Sequence, residues 1–238
     1  MISEKSINAA LAIIGVLSLS VSMSVAKQLD ASIPTVMIVF VRSGFGLLFF
    51  IPILIKERHS ISHTTNVPLH ITRIILGVLA MLCTYYTYRN LPIAFATSIG
   101  MTSPIFTTAL SGLILKEVIG YKKWGLLILG YIGALIVIKP TSFILDVAIV
   151  TALLANLLAA ICVIIIKILS RKDSIITIML FGNVGIFITS CAISIAQWHA
   201  LTIYEVALLS ITGALGLITQ RKIQVLIKPI LHFLPILH

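Results

Sequence analysis

The feature that most constrains this chain is a succession of apolar stretches of near-spanning length, broken by short polar segments. They cover roughly residues 7–26, 34–55, 71–88, 93–115, 124–138, 148–166, 175–196 and 203–219. A bilayer core about 30 Å thick takes about 20 helical residues to cross. With no water inside it, only a helix or a closed barrel satisfies its own backbone. The pattern therefore predicts an all-α, polytopic transmembrane helix bundle of about eight spans, the shorter ones accommodated by tilt or bilayer thinning. Composition agrees: 59% of residues are hydrophobic, 10% are charged and the mean hydropathy is +1.16, too little polarity to cover a water-soluble surface.

Charge tests the threading independently. If the stretches cross in turn, one face collects Lys5, Lys56, Arg58, Arg73, Lys116, Lys122, Lys123, Lys167, Arg171, Lys172, Arg221 and Lys222, and the other only Lys27, Arg89 and Lys139. Missing or adding one span would scramble this bias, which places the N-terminus in the cytoplasm. The net charge of +10 is thus explained by loop lysines and arginines, without a nucleic-acid partner. Lys5 and the small residues Ser24-Val25-Ala26 resemble a signal peptide, but the first stretch is long and serine-bearing, and reads as a retained span.

Catalysis finds no support. Cys83, Cys162 and Cys191 lie inside apolar stretches without metal-ligand spacing and read as small apolar side chains. All seven acids, Glu4, Asp30, Glu57, Glu117, Asp146, Asp173 and Glu205, fall outside the spans or at their ends. This predicts no carboxylate buried at mid-membrane, and favours exchange or facilitated diffusion over coupling through Asp or Glu. His59, His63 and His70 read as solvated loop residues, so no metal and no cofactor is expected.

A few polar residues do fall within or at the ends of spans. Arg42 sits in the second, where a charge costs about 2.5–3.5 kcal/mol and needs a cavity, a partner or an anion, unless it snorkels to the interface. Asn156 and Asn183 must find partners, either another helix or a substrate. Lys27 and Lys167 close the first and sixth spans, where snorkelling competes with substrate contact. Tyr85, Tyr86 and Tyr88 form an interfacial belt beside Arg89, with Tyr85 deep enough to face a cavity. Ser18, Ser20, Ser22 and Ser24 favour close helix packing. Pro104 predicts a bend in the fourth span that frees backbone carbonyls. Residues 11–29 also align on 151–169 at a constant offset, pairing Ala12 with Ala152 and Lys27 with Lys167. Five intervening spans would make the two copies inverted.

Four landmarks occur in order: Val39-Phe40-Val41-Arg42; Tyr88-Arg89-Asn90-Leu91-Pro92-Ile93-Ala94; Ser103-Pro104-Ile105-Phe106 through Leu115-Lys116-Glu117; and Gly130-Tyr131-Ile132-Gly133 through Ile138-Lys139-Pro140. With them the chain resembles the EamA branch of the drug/metabolite transporter superfamily over about residues 11–220. The resemblance implies one complete five-helix repeat (1–140), a partial inverted second repeat (141–220) and an aberrant basic tail (221–238). It implies transport of a small metabolite across a bacterial inner membrane, S-adenosylmethionine being one substrate of such relatives. Arg42, Tyr85, Asn156, Asn183, Lys27 and Lys167 are the candidate substrate-binding residues. Family members carry two further spans, so the tail with Lys228 and Pro229 implies a truncated, inactive or split transporter. The alternative is a non-transporting scaffold, completed by a homodimer or by a partner supplying the missing helices.

Overall fold

The computed structural model describes residues 13, 17–18, 20–25, 27–29, 32–61, 64, 66–138 and 147–232. The expected span 7–26 lies largely outside them, as do Glu4, Lys5, Asp30, His63, Lys139 and Asp146.

Proline sets several helix starts. Helix α1 (Thr35–Lys56) follows Pro34, whose fixed φ suits a cap and whose carbonyl accepts the amides of Met37 and Ile38 at 2.9 and 3.3 Å. Helix α2 (Val67–Asn90) takes Pro68 into its first turn, and α3 (Ile93–Gly100) follows Pro92. Helix α4 (Thr102–Leu115) continues α3 after a break at Met101. Pro104 lacks an N–H and its ring crowds the carbonyl of Gly100, so the break falls just upstream of it, in the expected bend. Then come α5 (Tyr121–Ile138), α6 (Val147–Leu169), α7 (Ile175–Ser194, prolonged by a 3-10 turn, Ile195–Gln197) and α8 (Ile203–His232). Thr202 and Glu205 form a reciprocal cap on α8: the Thr202 amide donates to Glu205 Oε2 at 2.7 Å, and the Glu205 amide to Thr202 Oγ1 at 3.3 Å. Helix α8 runs on past Thr219 to His232, so the segment read as an aberrant tail continues a helix.

Among the described residues, five helical stretches are long and apolar enough to cross a membrane: Thr35–Lys56, Val67–Asn90, Ile93–Leu115, Val147–Leu169 and Ile175–Gln197. A shorter apolar helix spans Ile203–Leu217. The fold is an all-α polytopic membrane bundle. On α5, Leu126, Leu129 and Ile136 are 66–70% exposed, apolar surface that lipid covers and water would not tolerate.

Packing divides the chain into two units, Met1–Ile74 with Lys167–His238, and Ile75–Ile166. In the first, α1 packs against both α7 and α8 around Phe50, Ile176, Met179 and Leu217. In the second, Leu91, Ala96 and Ile99 pack on Ala148 and Ala152, alanines one turn apart that allow close helix approach.

Candidate functional site

In the first unit, small residues let α1 approach its neighbours, and this positions Arg42. A Cβ added at Gly213 would meet Arg42 O at 2.8 Å and Gly46 N at 3.0 Å, so α1 and α8 touch backbone to backbone there. Toward α7, Ser43 Oγ and Ser190 Oγ are 3.3 Å apart, and Phe40 stacks on Phe187 with centroids at 5.4 Å. Arg42 Nε donates to the carbonyl oxygen of Thr212 at 3.4 Å, a long bond, with its guanidinium over Gly216.

A second arginine repeats this arrangement. Arg73, on the first turns of α2, donates from Nη1 to Ile178 O at 3.0 Å, and its guanidinium lies over Gly182. In both cases the glycine stands four residues after the accepting carbonyl. In an α-helix that carbonyl points along the axis toward residue i+4, whose Cβ ordinarily shields it. Glycine removes the shield and opens a notch for a planar guanidinium.

Beside Arg73 lies a cluster that the sequence reading assigned to solvated loops. His70 is 1% exposed and Asp173 5%. Asp173 Oδ2 accepts from His70 Nε2 at 2.8 Å and from Thr64 Oγ1 at 2.7 Å. Thr64 Oγ1 in turn accepts the Asn66 amide at 3.2 Å, and the His70 ring lies against Phe181 at 4.6 Å. Asp173 is held between two helices: its amide donates to Leu169 O at 2.8 Å, closing α6, and it precedes Ser174, whose side chain caps α7 by accepting the Thr177 amide at 3.2 Å. Two expectations are thereby corrected, those for His70 and Arg73. His70 is neither in a loop nor solvated, because α2 begins at Val67 and buries it. Asp173 lies between the spans as expected, but its carboxylate is buried, with Thr64 and His70 as hydrogen-bond partners. Arg73, counted among loop cations, is 7% exposed.

The other candidates occupy separate places. Asn183 Nδ2 donates to Met179 O on its own helix at 2.9 Å. In the second unit, Asn156 Nδ2 donates to Ile99 O at 2.9 Å and to Thr102 Oγ1 at 3.2 Å, which ties α6 to the α3–α4 break. Tyr85 is 1% exposed in this unit, where Thr87 Oγ1 and Thr151 Oγ1 lie 3.3 Å apart. Lys27 is exposed and Lys167 half-buried at the end of α6. Ser18 and Ser22 are buried, consistent with packing, and Ser20 faces outward. Among the described residues no three His, Cys, Asp or Glu side chains group as metal ligands. The sequence signal for the cluster was faint: His70 lies three residues after Val67 and one helical turn from Arg73 and Ile74, on a helix that starts earlier than its apolar run.

Comparison with known proteins adds the following. The sequence model of the EamA-like transporter family matches residues 6–139. The pseudopaline exporter of Pseudomonas aeruginosa is 32% identical over 133 residues, 56% of this chain and 46% of the exporter, so the aligned part is about half that protein's length. The S-adenosylmethionine uptake transporter of Rickettsia bellii is 26% identical over 204 residues, 86% of this chain and 70% of the relative. The riboflavin transporter of Vibrio cholerae is 26% identical over 188 residues, 77% and 63%.

Proposed function

This chain belongs to the EamA-like transporter family, a polytopic bacterial membrane transporter and not an enzyme, and from that premise we propose that it carries a small, carboxylate-bearing metabolite across the inner membrane. The observation that carries the substrate class is Arg42. A guanidinium placed well inside α1, at a cost of about 2.5–3.5 kcal/mol, suits recognition of an anionic group. It is steadied by the Thr212 carbonyl and the Gly216 notch. S-adenosylmethionine, which has an α-carboxylate, is the first substrate to test, given the match along 86% of this chain to a transporter of that compound.

In this reading the first repeat ends near residue 140 and a second, inverted repeat begins with α6. Two things support it: the family match over 6–139, and the alignment of residues 11–29 on 151–169. The bundle has about eight spans with the N-terminus in the cytoplasm, and two inverted halves rock about a midplane site. The candidate substrate contacts are Arg42 and Asn183 in the first unit and Tyr85 and Asn156 in the second. The amide nitrogens of Asn156 and Asn183 are already bonded to backbone, so each offers its oxygen. Lys27 and Lys167 draw anions to the two surfaces.

The test is uptake of radiolabelled S-adenosylmethionine into proteoliposomes holding the full chain, against liposomes with Arg42→Ala. We expect saturable uptake, lost in Arg42→Ala and not restored by Arg42→Lys, which cannot make the planar contact. Uptake unaffected by Arg42→Ala would overturn the role of Arg42. Equal counts in empty liposomes would overturn the substrate.

A further inference from the structure

We propose that Arg73 is a second anion-binding arginine, the counterpart of Arg42, which receives the same substrate group when the transporter opens to its other face; this rests on the transporter reading with two inverted halves. Four residues of the first unit carry it. The offset that lays residues 11–29 on 151–169 carries Arg42 onto Gly182 and Arg73 onto Gly213. Gly213 is a glycine against which Arg42 packs, a Cβ there standing 2.8 Å from Arg42 O, and Gly182 lies under the Arg73 guanidinium. Exchanging the halves therefore turns the Arg42–Gly213 contact into the Gly182–Arg73 contact.

The correspondence extends beyond the arginines. By the same offset α1 (Thr35–Lys56) falls on 175–196, within α7 and its 3-10 turn, and Pro34, which precedes α1, falls on Ser174, which caps α7. Val67–Asn90 falls on 207–230, inside α8. Phe40 and Phe187, stacked between α1 and α7, fall on Leu180 and Leu47, which both pack on the cluster around Phe50. The depths match as well. Arg42 lies about 10 Å of helical rise from Thr35, and Arg73 about 9 Å from Val67. The start of α2 belongs to the end of the bundle where α1 finishes: His70 bonds Asp173 just before α7, and the start of α7 packs on Phe50 near the close of α1. The two guanidiniums are thus reached from opposite faces.

The two contacts share their parts and differ in state. Arg73 is 7% exposed and donates to Ile178 O at 3.0 Å; Arg42 is half-buried and donates to Thr212 O at 3.4 Å. Inverted halves exchange surroundings when a transporter changes the face to which it opens. The looser seat that Arg42 has here then belongs to Arg73. Its guanidinium, released from the Ile178 carbonyl, offers a carboxylate the same planar fork of donors. Between turns the glycine notch supplies a backbone acceptor, which avoids leaving a buried charge unmatched.

The test uses the wild-type chain, inserted in one orientation in sealed proteoliposomes, and a sulfonated phenylglyoxal. This arginine-directed reagent is anionic, and its charge keeps it from crossing the bilayer. It is added to one face or the other at low conversion, and modification is read residue by residue by mass spectrometry. Exposed Arg58 marks the face at which α1 ends. Arg73 should be modified from the Arg58 face and Arg42 from the opposite face. Any other pattern, such as both arginines reacting from one face or Arg73 from neither, refutes the assignment. S-adenosylmethionine on the reagent's side, at about ten times its dissociation constant, should slow both reactions about tenfold. Protection of Arg42 without protection of Arg73 also refutes it. Arg73→Lys keeps the charge and loses the fork, so it should raise the half-saturation concentration for transport from the Arg58 face about tenfold and change that from the other face less than about twofold. An arginine with a structural role alone would alter the two faces alike. Labelling itself needs no substrate. If S-adenosylmethionine protects neither arginine, that substrate falls, while the faces from which Arg42 and Arg73 react still decide the role of Arg73.

Discussion

The guanidinium of Arg73 occupies the space that a side chain at Gly182 would fill: a Cβ there would stand 2.9 Å from Arg73 Cζ. The two residues are far apart in sequence, and each accounts for the other. Without the glycine the Ile178 carbonyl is shielded; without the carbonyl the buried arginine loses one acceptor.

Gly182→Ala should therefore lower stability by about 1 kcal/mol, because the guanidinium at the end of the flexible Arg73 side chain must swing aside and give up the Ile178 carbonyl. Thermal unfolding in detergent checks it, with Gly130→Ala as the control. Nothing lies within 4 Å of a Cβ at Gly130, so no loss is expected there.

Gly216→Ala would press on Arg42 in the same way. Here the expected reading is transport: uptake should fall toward the Arg42→Ala level while the helical content by circular dichroism is retained. Full uptake would show that the notch over Gly216 does not position the guanidinium.

Asn156→Leu removes two donations that join α6 to the α3–α4 break. Interhelical bonds of this kind contribute about 1 kcal/mol in membranes. The unfolding midpoint should drop accordingly. Faster exchange is expected around Met101.

Asp173→Ala deprives both Thr64 and His70 of their acceptor and leaves a buried ring nitrogen unmatched. A loss of about 3 kcal/mol is expected, read as a lowered denaturation midpoint. Thr64→Ala, which removes one donor and leaves the pair, should cost about 1 kcal/mol.

The topology is checked by cysteine labelling. Substituted cysteines beside Arg58 and Lys122 should react with a membrane-impermeant maleimide from the same face, since both belong to the cation-rich side. Reaction from opposite faces would remove the threading.

Much of the architecture was legible in the sequence because lipid imposes a simple rule: apolar runs of about 20 residues become helices regardless of their neighbours. The runs at 34–55, 93–115, 148–166 and 175–196 correspond to α1, α3 with α4, α6 and α7, and Pro104 located the break near Met101. The family followed from motifs that are local in sequence. Where the apolar run and the helix differ, the reading failed. Helix α2 opens with Val67-Pro68-Leu69-His70, polar enough to pass for loop.

What the sequence determined by itself is the class of molecule, the rough positions of its long apolar helices, and the family. Only the tertiary structure decided the fates of His70, Arg73 and Asp173. The burial of a polar side chain depends on donors, acceptors and missing Cβ atoms brought from helices about a hundred residues away. Periodicity along one helix carries no record of them.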